Sequence, residues 1–492
     1  MFLGRPPDKG LWFGNSFFCF PQHFFAVSQA IYPPFVFSYN HKNLWLEGKT
    51  MKNQLIAKYN NPNALLVFSS YALKDEDLKN QNALSWYTKE LVSLFPKKQK
   101  VIILSEKTTE KNSEIFEKDN ILIIPSWKKR DFNSLFNIIK YVNQFNKAKR
   151  VLFQFEFNIF GNLFGPLISL ALLFYFKLNN KKVYFQLHQI VSTLKTIRNQ
   201  IHIGNETMLN LFDKGLTIFY ILVGWLSDKV VVTESILAKR LSEYVNEKKI
   251  VILPILVANK NRLINKQALN KKYSILKSKR IVLFFGYLSW YKGIDWLVDA
   301  FSKISRKNPK LVLVVAGGKS PTLAGKTHYE NFYQRLTKTM NKNKNIIHTG
   351  FIDENEVGYL MDKTSLLILP YRGFMSSSGP LSWALSYKKP VIFSKQLKEY
   401  KDSEDFKMAM EKNRIEEKEM FFELNQESLY NILQNAPFKK LINFSKSLRS
   451  LRSRKTVSKK LISLLDKSKN SLVLKIKTSL KMPNLVRFLY AK

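Results

Sequence analysis

Two short segments of this sequence carry residues suited to holding a diphosphate. In the first, an apolar run at 281–285 breaks at Gly286 and continues Tyr287-Leu288-Ser289-Trp290-Tyr291-Lys292-Gly293. In the second, an apolar run at 366–369 leads through Pro370-Tyr371-Arg372 to Ser376-Ser377-Ser378-Gly379, then to an apolar stretch that begins at Leu381. A strand with a glycine turn bearing a lysine, and a second strand opening into Ser-Gly at a helix start, can present backbone N–H groups and one ammonium to the same anion. Each piece also has a plainer reading. Lys292 reads equally as a solvated lysine in a lysine-rich chain, and Ser378 as a simple helix cap. The two readings of Ser378 are compatible, because a cap that leaves N–H groups free is itself an anion site.

In the first half of the chain the candidates sit at the ends of apolar runs. Glu156 follows the run 151–155, and His188, one of six histidines, follows 183–187. Open α/β sheets bind ligands beyond the carboxyl ends of their strands, which places both residues toward a cleft. The plainer readings are a solvated strand-end carboxylate and a partly buried structural imidazole. Asp75-Glu76-Asp77 lies in a lysine-flanked polar run and reads as a solvated turn, so no catalytic metal is expected. The sequence has no Walker loop, zinc-ligand spacing, His-Glu-x-x-His or Gly-x-Ser-x-Gly.

These residues need layered elements to position them. Short apolar runs at 64–68, 101–104, 121–124, 151–155, 183–187, 230–233 and 250–253 alternate with helix-length amphipathic segments. The pattern resumes at 281–285, 311–316, 346–348, 366–369 and 391–394, after a polar Asn/Lys-rich interval. This predicts an α/β protein with two doubly wound, Rossmann-like domains, 63–257 and 280–440, joined by a linker at 258–279 that holds a small helix. Past residue 440 the chain is strongly basic. Val457, Leu461, Leu464 and Leu465 fall at helical spacing, which predicts a helix within 441–466, and 467–492 continues as a basic amphipathic tail.

Residues 1–62 read as an atypical extension. Its first 50 residues are crowded with aromatics and Pro-Pro pairs, without helical or strand period. They are expected to be unstructured, or translated from a misassigned start, with body-like composition beginning at Met51. No basic start followed by an apolar block and a cleavage site marks a signal peptide.

A net charge of +42, from 79 basic and 37 acidic side chains in 492 residues, would favour anionic lipid head groups or phosphorylated substrates. The lysines are spread along the chain, however, and a coding bias toward Lys, Asn, Ile and Phe explains them as well; nucleic acid is not the expected partner. The single cysteine, Cys19, excludes an internal disulfide framework and a cysteine-based zinc site, and points to a reducing compartment. Residues 163–178 form the longest apolar block, shorter than the ~20 residues a spanning helix needs. They are expected to form a buried or interfacial helix, and 217–226, shorter still, likewise.

The order of the motifs resembles that of family 4 retaining glycosyltransferases of the GT-B fold, over roughly residues 63–465. Gly286-Tyr287-Leu288-x-x-Tyr291-Lys292-Gly293-Ile294-Asp295 is similar to the family's diphosphate-binding turn. Pro370-Tyr371-Arg372, Ser378-Gly379-x-Leu381 and Lys389-Pro390-Val391 are similar to its nucleotide-sugar segment. Ser69-Ser70-Tyr71 with Tyr87-Thr88-Lys89-Glu90-Leu91, Gln154-Phe155-Glu156-Phe157-x-Ile159-Phe160-Gly161, Leu187-His188 and Val232-Thr233-Glu234-Ser235 look like its first-domain strand ends. Three positions depart from the pattern. A pair of Glu spaced eight apart is replaced by Met375 and Trp383, a basic residue by Ser289, and a loop glycine is missing between 71 and 84. A subset of the family lacks the Glu pair and keeps Ser-Gly.

The resemblance implies a GT-B protein whose two domains face a central cleft. It would move a hexose-type sugar from a nucleotide sugar to a glycan or lipid-linked acceptor with retention, using no further cofactor. His188 and Glu156 would be the catalytic residues, with the donor bound by Gly286, Lys292, Arg372, Ser377, Ser378, Gly379 and Leu381. A cytoplasmic location, peripheral on the membrane face, and a role in cell-envelope polysaccharide fit that expectation, with the tail 467–492 as the anchor. The alternatives are a catalytically impaired GT-B protein that binds anionic membrane or nucleic acid, and a GT-B sugar-nucleotide epimerase.

Overall fold

A computed structural model describes residues 41–71, 83–107, 114–161, 165–194, 205–259 and 265–466. Asp75, Glu76 and Asp77, the first 40 residues and the tail 467–492 lie outside the described residues. The described residues from 51 to 466 form one compact unit. Its start differs from the expected extension: helix α1, His41–Tyr59, runs through Met51, and Tyr59 is fully buried in the core with its hydroxyl on Glu117 at 2.8 Å. Residues 51–62 therefore belong to the folded body.

The first domain is an eight-stranded sheet in the order β3-β4-β2-β1-β5-β6-β7-β8. Its strands are β1 (Leu65–Phe68), β2 (Val101–Glu106), β3 (Phe116–Lys118), β4 (Ile121–Trp127), β5 (Arg150–Phe155), β6 (Lys182–Leu187), β7 (Lys229–Val232) and β8 (Ile250–Ile252). All pairs are parallel except β3 with β4. The central strands are buried on both faces, which is why they read as unbroken apolar runs.

One face carries α3 (Ser134–Gln144), α4 (Gly165–Leu178) and α5 (Glu206–Leu226), whose Val142, Leu172 and Phe219 join the core beneath them. The other face carries α2 (Ala83–Val92) and, from far along the chain, the helix Arg454–Asp466. Helix α5 is twice the length read from its sequence. Asn205 caps it, accepting from the Met208 N–H, and it is long and apolar enough by length and composition to cross a membrane. Neither α4 nor α5 is simply buried, because both keep one apolar side exposed.

The second domain is a six-stranded sheet in the order β11-β10-β9-β12-β13-β14, parallel where its pairs are formed. Its strands are β9 (Arg280–Phe285), β10 (Leu311–Ala316), β11 (Ile346–Gly350), β12 (Leu366–Leu369), β13 (Val391–Ser394) and β14 (Phe421–Phe422). The helix Lys266–Lys272 of the interval 258–279 belongs to this domain, since Tyr273 stacks on Tyr359 and the Tyr359 hydroxyl reaches Asn270.

In each sheet the chain starts in the middle, builds to one edge, then jumps back and continues to the other. The switch falls between β1 and β5 in the first domain and between β9 and β12 in the second. Open sheets leave a crevice at that point, beyond the carboxyl ends of the two strands. Two helices close the chain. Phe438–Leu451 packs on the second domain, with Phe444 edge-on to Phe406 at 4.8 Å. After a break at Arg452-Ser453, Arg454–Asp466 packs Val457, Leu461 and Leu465 on the first.

Candidate active site

Lys292 and the Ser-Gly segment flank the β9/β12 switch. At Gly286, just past β9, φ is +122°, and a methyl group built there would lie 2.9 Å from Nζ of Lys292 and 3.6 Å from Cγ of Pro380. The lysine ammonium and the start of the helix Gly379–Ser386 thus converge on one point, which stays open because residue 286 has no side chain. The Lys292 turn is pinned by Gly293 (φ +67°), where a Cβ would fall 1.9 Å from the Pro370 carbonyl oxygen.

Lys292 is half-buried beside the Tyr291 ring, and burial lowers its pKa to about 8. Among the described residues it has no carboxylate or carbonyl partner. A desolvated ammonium without an anion is costly, and such groups concentrate at ligand sites.

Ser378 is the helix N-cap, its Oγ accepting from the Leu381 N–H at 3.2 Å, and Pro380 offers no N–H. Gly379 is left exposed at the helix start. Three residues expected to touch a donor are engaged elsewhere. Leu381 is fully buried and its N–H is capped. Arg372 makes two hydrogen bonds to Asp295, at 2.7 and 3.0 Å, donates to the Trp290 carbonyl at 2.5 Å and lies over the Trp290 ring. It straps the lysine turn to the β12 loop. Ser377 donates to Thr233 Oγ1 at 2.6 Å and lies 3.1 Å from Glu234 Oε1, so it bonds across to the first domain.

The first domain supplies the opposite wall. Gln189 forms a backbone bridge with Ser376, which sets His188 one residue from the contact between the domains. The His188 imidazole lies edge-on to Tyr87 at 4.7 Å, and its Nε2 is 2.9 Å from Gln154 Oε1. The Gln154 amide thus engages Nε2, and the ring's tautomer sets which nitrogen accepts. Burial lowers the imidazole pKa to about 3, so the ring is neutral at pH 7. Glu156 follows β5, and burial raises its carboxyl pKa to about 7, with Lys129 acting in the opposite direction. Glu156 in turn helps to raise the Tyr291 phenol across the cleft, after burial of that ring. The sequence-expected His188, Glu156, Gly286, Lys292 and Gly379 are therefore brought to one cleft. At the position of a family Glu, Trp383 lies edge-on to Phe285 at 6.4 Å and stacks on Tyr387 at 6.2 Å.

Sequence reasoning missed the buried hub behind this cleft. Arg452, at the break between the last two helices, is 1% exposed. It donates to both Glu234 oxygens at 2.7 and 2.8 Å, and to both Asp405 oxygens at 2.7 and 3.1 Å. Glu234 belongs to the first domain and Asp405 to the second, so one guanidinium joins both domains, and through Glu234 also Ser377. Burial acts to lower the Arg452 pKa, but the two carboxylates hold it above that of an ordinary arginine. Arg240 adds a second tie, donating to the Phe374 carbonyl at 2.7 Å and pairing with Glu399 at 3.2 Å.

Two Rossmann-like α/β domains meeting across a cleft at their strand ends define the class: the fold is GT-B. Within it, residues 265–402 match the family model "Glycosyl transferases group 1". A curated relative, "Putative glycosyltransferase YtcC" of Bacillus subtilis (strain 168), is 33% identical over 87 residues, 18% of this chain. That match spans only 21% of the relative's length. Among solved structures, sucrose-phosphate synthase from Thermosynechococcus elongatus is similar with a TM-score of 0.58 at 12% identity, covering 82% of this chain and 99% of that one. Anabaena HepE in complex with UDP-glucose gives 0.57 at 12% identity, with the same coverage of both chains.

Proposed function

We propose that this protein is a glycosyltransferase that takes its sugar from a nucleotide sugar. The observation that carries this reading is the unpaired ammonium of Lys292 converging with the Gly379–Ser386 helix start over Gly286. A diphosphate is the ligand that such a point suits: its charge supplies the anion the lysine lacks, and the helix end contributes the Gly379 N–H and its dipole. The match of residues 265–402 to group 1 glycosyltransferases, and the fold shared with a UDP-glucose complex, support the same reading.

The finer proposal is hexosyl transfer of the family 4 type, with retention, to a glycan or lipid-linked acceptor of the cell envelope. The acceptor oxygen bonds to the anomeric carbon on the face from which the diphosphate leaves. The carbon–oxygen bond to the diphosphate breaks, and the acceptor proton passes to the departing phosphate oxygen, so a dedicated carboxylate base is not required. Lys292 and the helix start stabilise the charge that develops on the leaving group, a large contribution in sites of this kind. The neutral His188, held by Gln154 through Nε2, presents its other ring nitrogen to a sugar or acceptor hydroxyl. Glu156, titrating near neutrality, orients the acceptor when ionised. The proposed location is the cytoplasmic face of the membrane.

The test is nucleoside diphosphate release from a panel of nucleotide sugars with glycan and lipid-linked acceptors, with the anomeric configuration of the product read by NMR. Turnover giving the donor's own anomeric configuration supports the full reading, and an inverted product overturns retention alone. If no nucleotide sugar binds or turns over, glycosyl transfer is overturned.

A further inference from the structure

We infer that the outward face of α3, α4 and α5 rests on an anionic lipid bilayer. This rests on the helices alone and holds whether or not the cleft transfers sugar.

Helices on the surface of a sheet ordinarily turn charged residues outward. Here α4 and α5 turn apolar stripes outward, and α3 adds Phe136 among its exposed Asn137, Lys140 and Asn143. Phe136 on α3, Leu167 and Phe174 on α4, and Leu211, Ile218 and Trp225 on α5 are each 52–69% exposed. The spacing is regular. On α5, positions 211, 218 and 225 repeat every seven residues, and Met208, Gly215 and Leu222 fall between them on the same stripe. Single exposed apolar side chains are common on soluble proteins, but contiguous stripes on adjacent helices mark an interaction face.

The charges around the stripes select the partner. Helices α3 and α4 contain no acidic residue, while Lys140, Lys177 and Lys214 are exposed on the three helices. Of the two acids of α5, Asp213 accepts from the Thr193 hydroxyl at 2.6 Å and the Leu194 N–H at 2.7 Å. At the α5 C-terminus, Lys249 donates to the Gly224 and Ser227 carbonyls on either side of Trp225. Apolar stripes edged by lysines, with an exposed indole, fit the boundary between head groups and acyl chains. A twofold contact with a second copy would instead place these lysines against one another.

Helix α5 lies along the surface and does not cross. Phe219, Tyr220 and Val223 are buried in the domain core, and a Cβ at Gly224 would fall 2.7 Å from a Val245 methyl. The amino ends of α3, α4 and α5 follow the carboxyl ends of β4, β5 and β6. The apolar face therefore reaches the rim of the cleft, where a lipid-borne acceptor would arrive if the transferase reading holds.

The experiment is co-sedimentation of the full chain with vesicles of phosphatidylcholine alone and of mixed phosphatidylcholine and phosphatidylglycerol, at rising salt. Salt-sensitive binding to the mixed vesicles is expected, and the triple variant F174D/I218D/W225D should lose it at least tenfold with an unchanged melting temperature. If that variant melts early, K140Q/K177Q/K214Q serves in its place, with a loss on the order of a hundredfold from about 1 kcal/mol per lysine. Deleting 467–492 should leave binding by the helical face. The inference is overturned by failure to bind mixed vesicles or by equal binding to phosphatidylcholine alone. It is also overturned by binding that only the tail deletion removes, or by a dimer that the triple variant dissociates in place of vesicle binding.

Discussion

Two of the cations sunk into this protein, Arg452 and Lys292, have opposite surroundings. Arg452 has four carboxylate oxygens within 3.1 Å, drawn from both domains, and is held charged. Lys292 lies half-buried over a glycine with no carboxylate or carbonyl partner among the described residues, and burial lowers its pKa to about 8. A buried charge that is fully paired fixes an arrangement of the chain, whereas one that is unpaired persists where a ligand completes it. The contrast separates the part of the cleft that holds the domains together from the part that waits for an anion.

The largest effect expected from breaking this contrast is on stability. Arg452→Met leaves Glu234 buried without its partner, and should cost about 3–5 kcal/mol in a urea titration. A midpoint equal to wild type would show that the hub is not a structural lock. Lys292→Ala should do the reverse. Its melting temperature stays level or rises because no ion pair is lost, while donor turnover falls by about 10²–10³. Wild-type turnover in that variant would return Lys292 to the ordinary surface lysines.

pH sharpens the comparison. The Lys292 pKa is lowered from 10.5 to about 8, so between these values the unfolded chain binds more protons than the folded one. Unliganded wild type should therefore gain stability relative to Lys292→Met as pH rises through that window, while donor affinity falls above pH 8. Glu156 has the opposite sign. Its pKa is raised from 4.5 to about 7, so its contribution is present at low pH and is lost as pH rises to 7. Comparing Glu156→Gln with wild type by thermal melts at pH 4.5 and 7.5 should show that loss in wild type alone. The smallest effect is Ser377→Ala, which removes the hydrogen bond to Thr233 and should cost about 1 kcal/mol in the same urea titration.

The strands were legible because a parallel sheet covered on both faces asks for continuous apolar runs, and β10, β12 and β13 have the bounds read from sequence. The edge strands β3 and β14 were not, because Phe-Glu-Lys and Phe-Phe are too short to show a period. Half of α5 was missed although Asn205-Glu206 is a readable helix start, because the apolar block at its far end dominated. In the site, Lys292 was legible through the glycines beside it. Arg372 and Leu381 stood in the right motif, but sequence could not show that Asp295 and the core engage them. The Arg452–Glu234 pair, separated by 218 positions, leaves no local signal.

The break at Arg452 also has a consequence for synthesis on the ribosome. One face of the first sheet, at Val67, Ile103 and Leu152, is covered in part by Val457, Leu461 and Leu465. Domains generally fold in order as they emerge, yet this first domain waits with part of an apolar face bare until the second has been made. For the time it takes to translate some two hundred further residues, at about 5–20 residues per second, that face is exposed to chaperones or to neighbouring nascent chains. The last helix is the piece of the amino-terminal domain that arrives late, and its arrival ends that exposure.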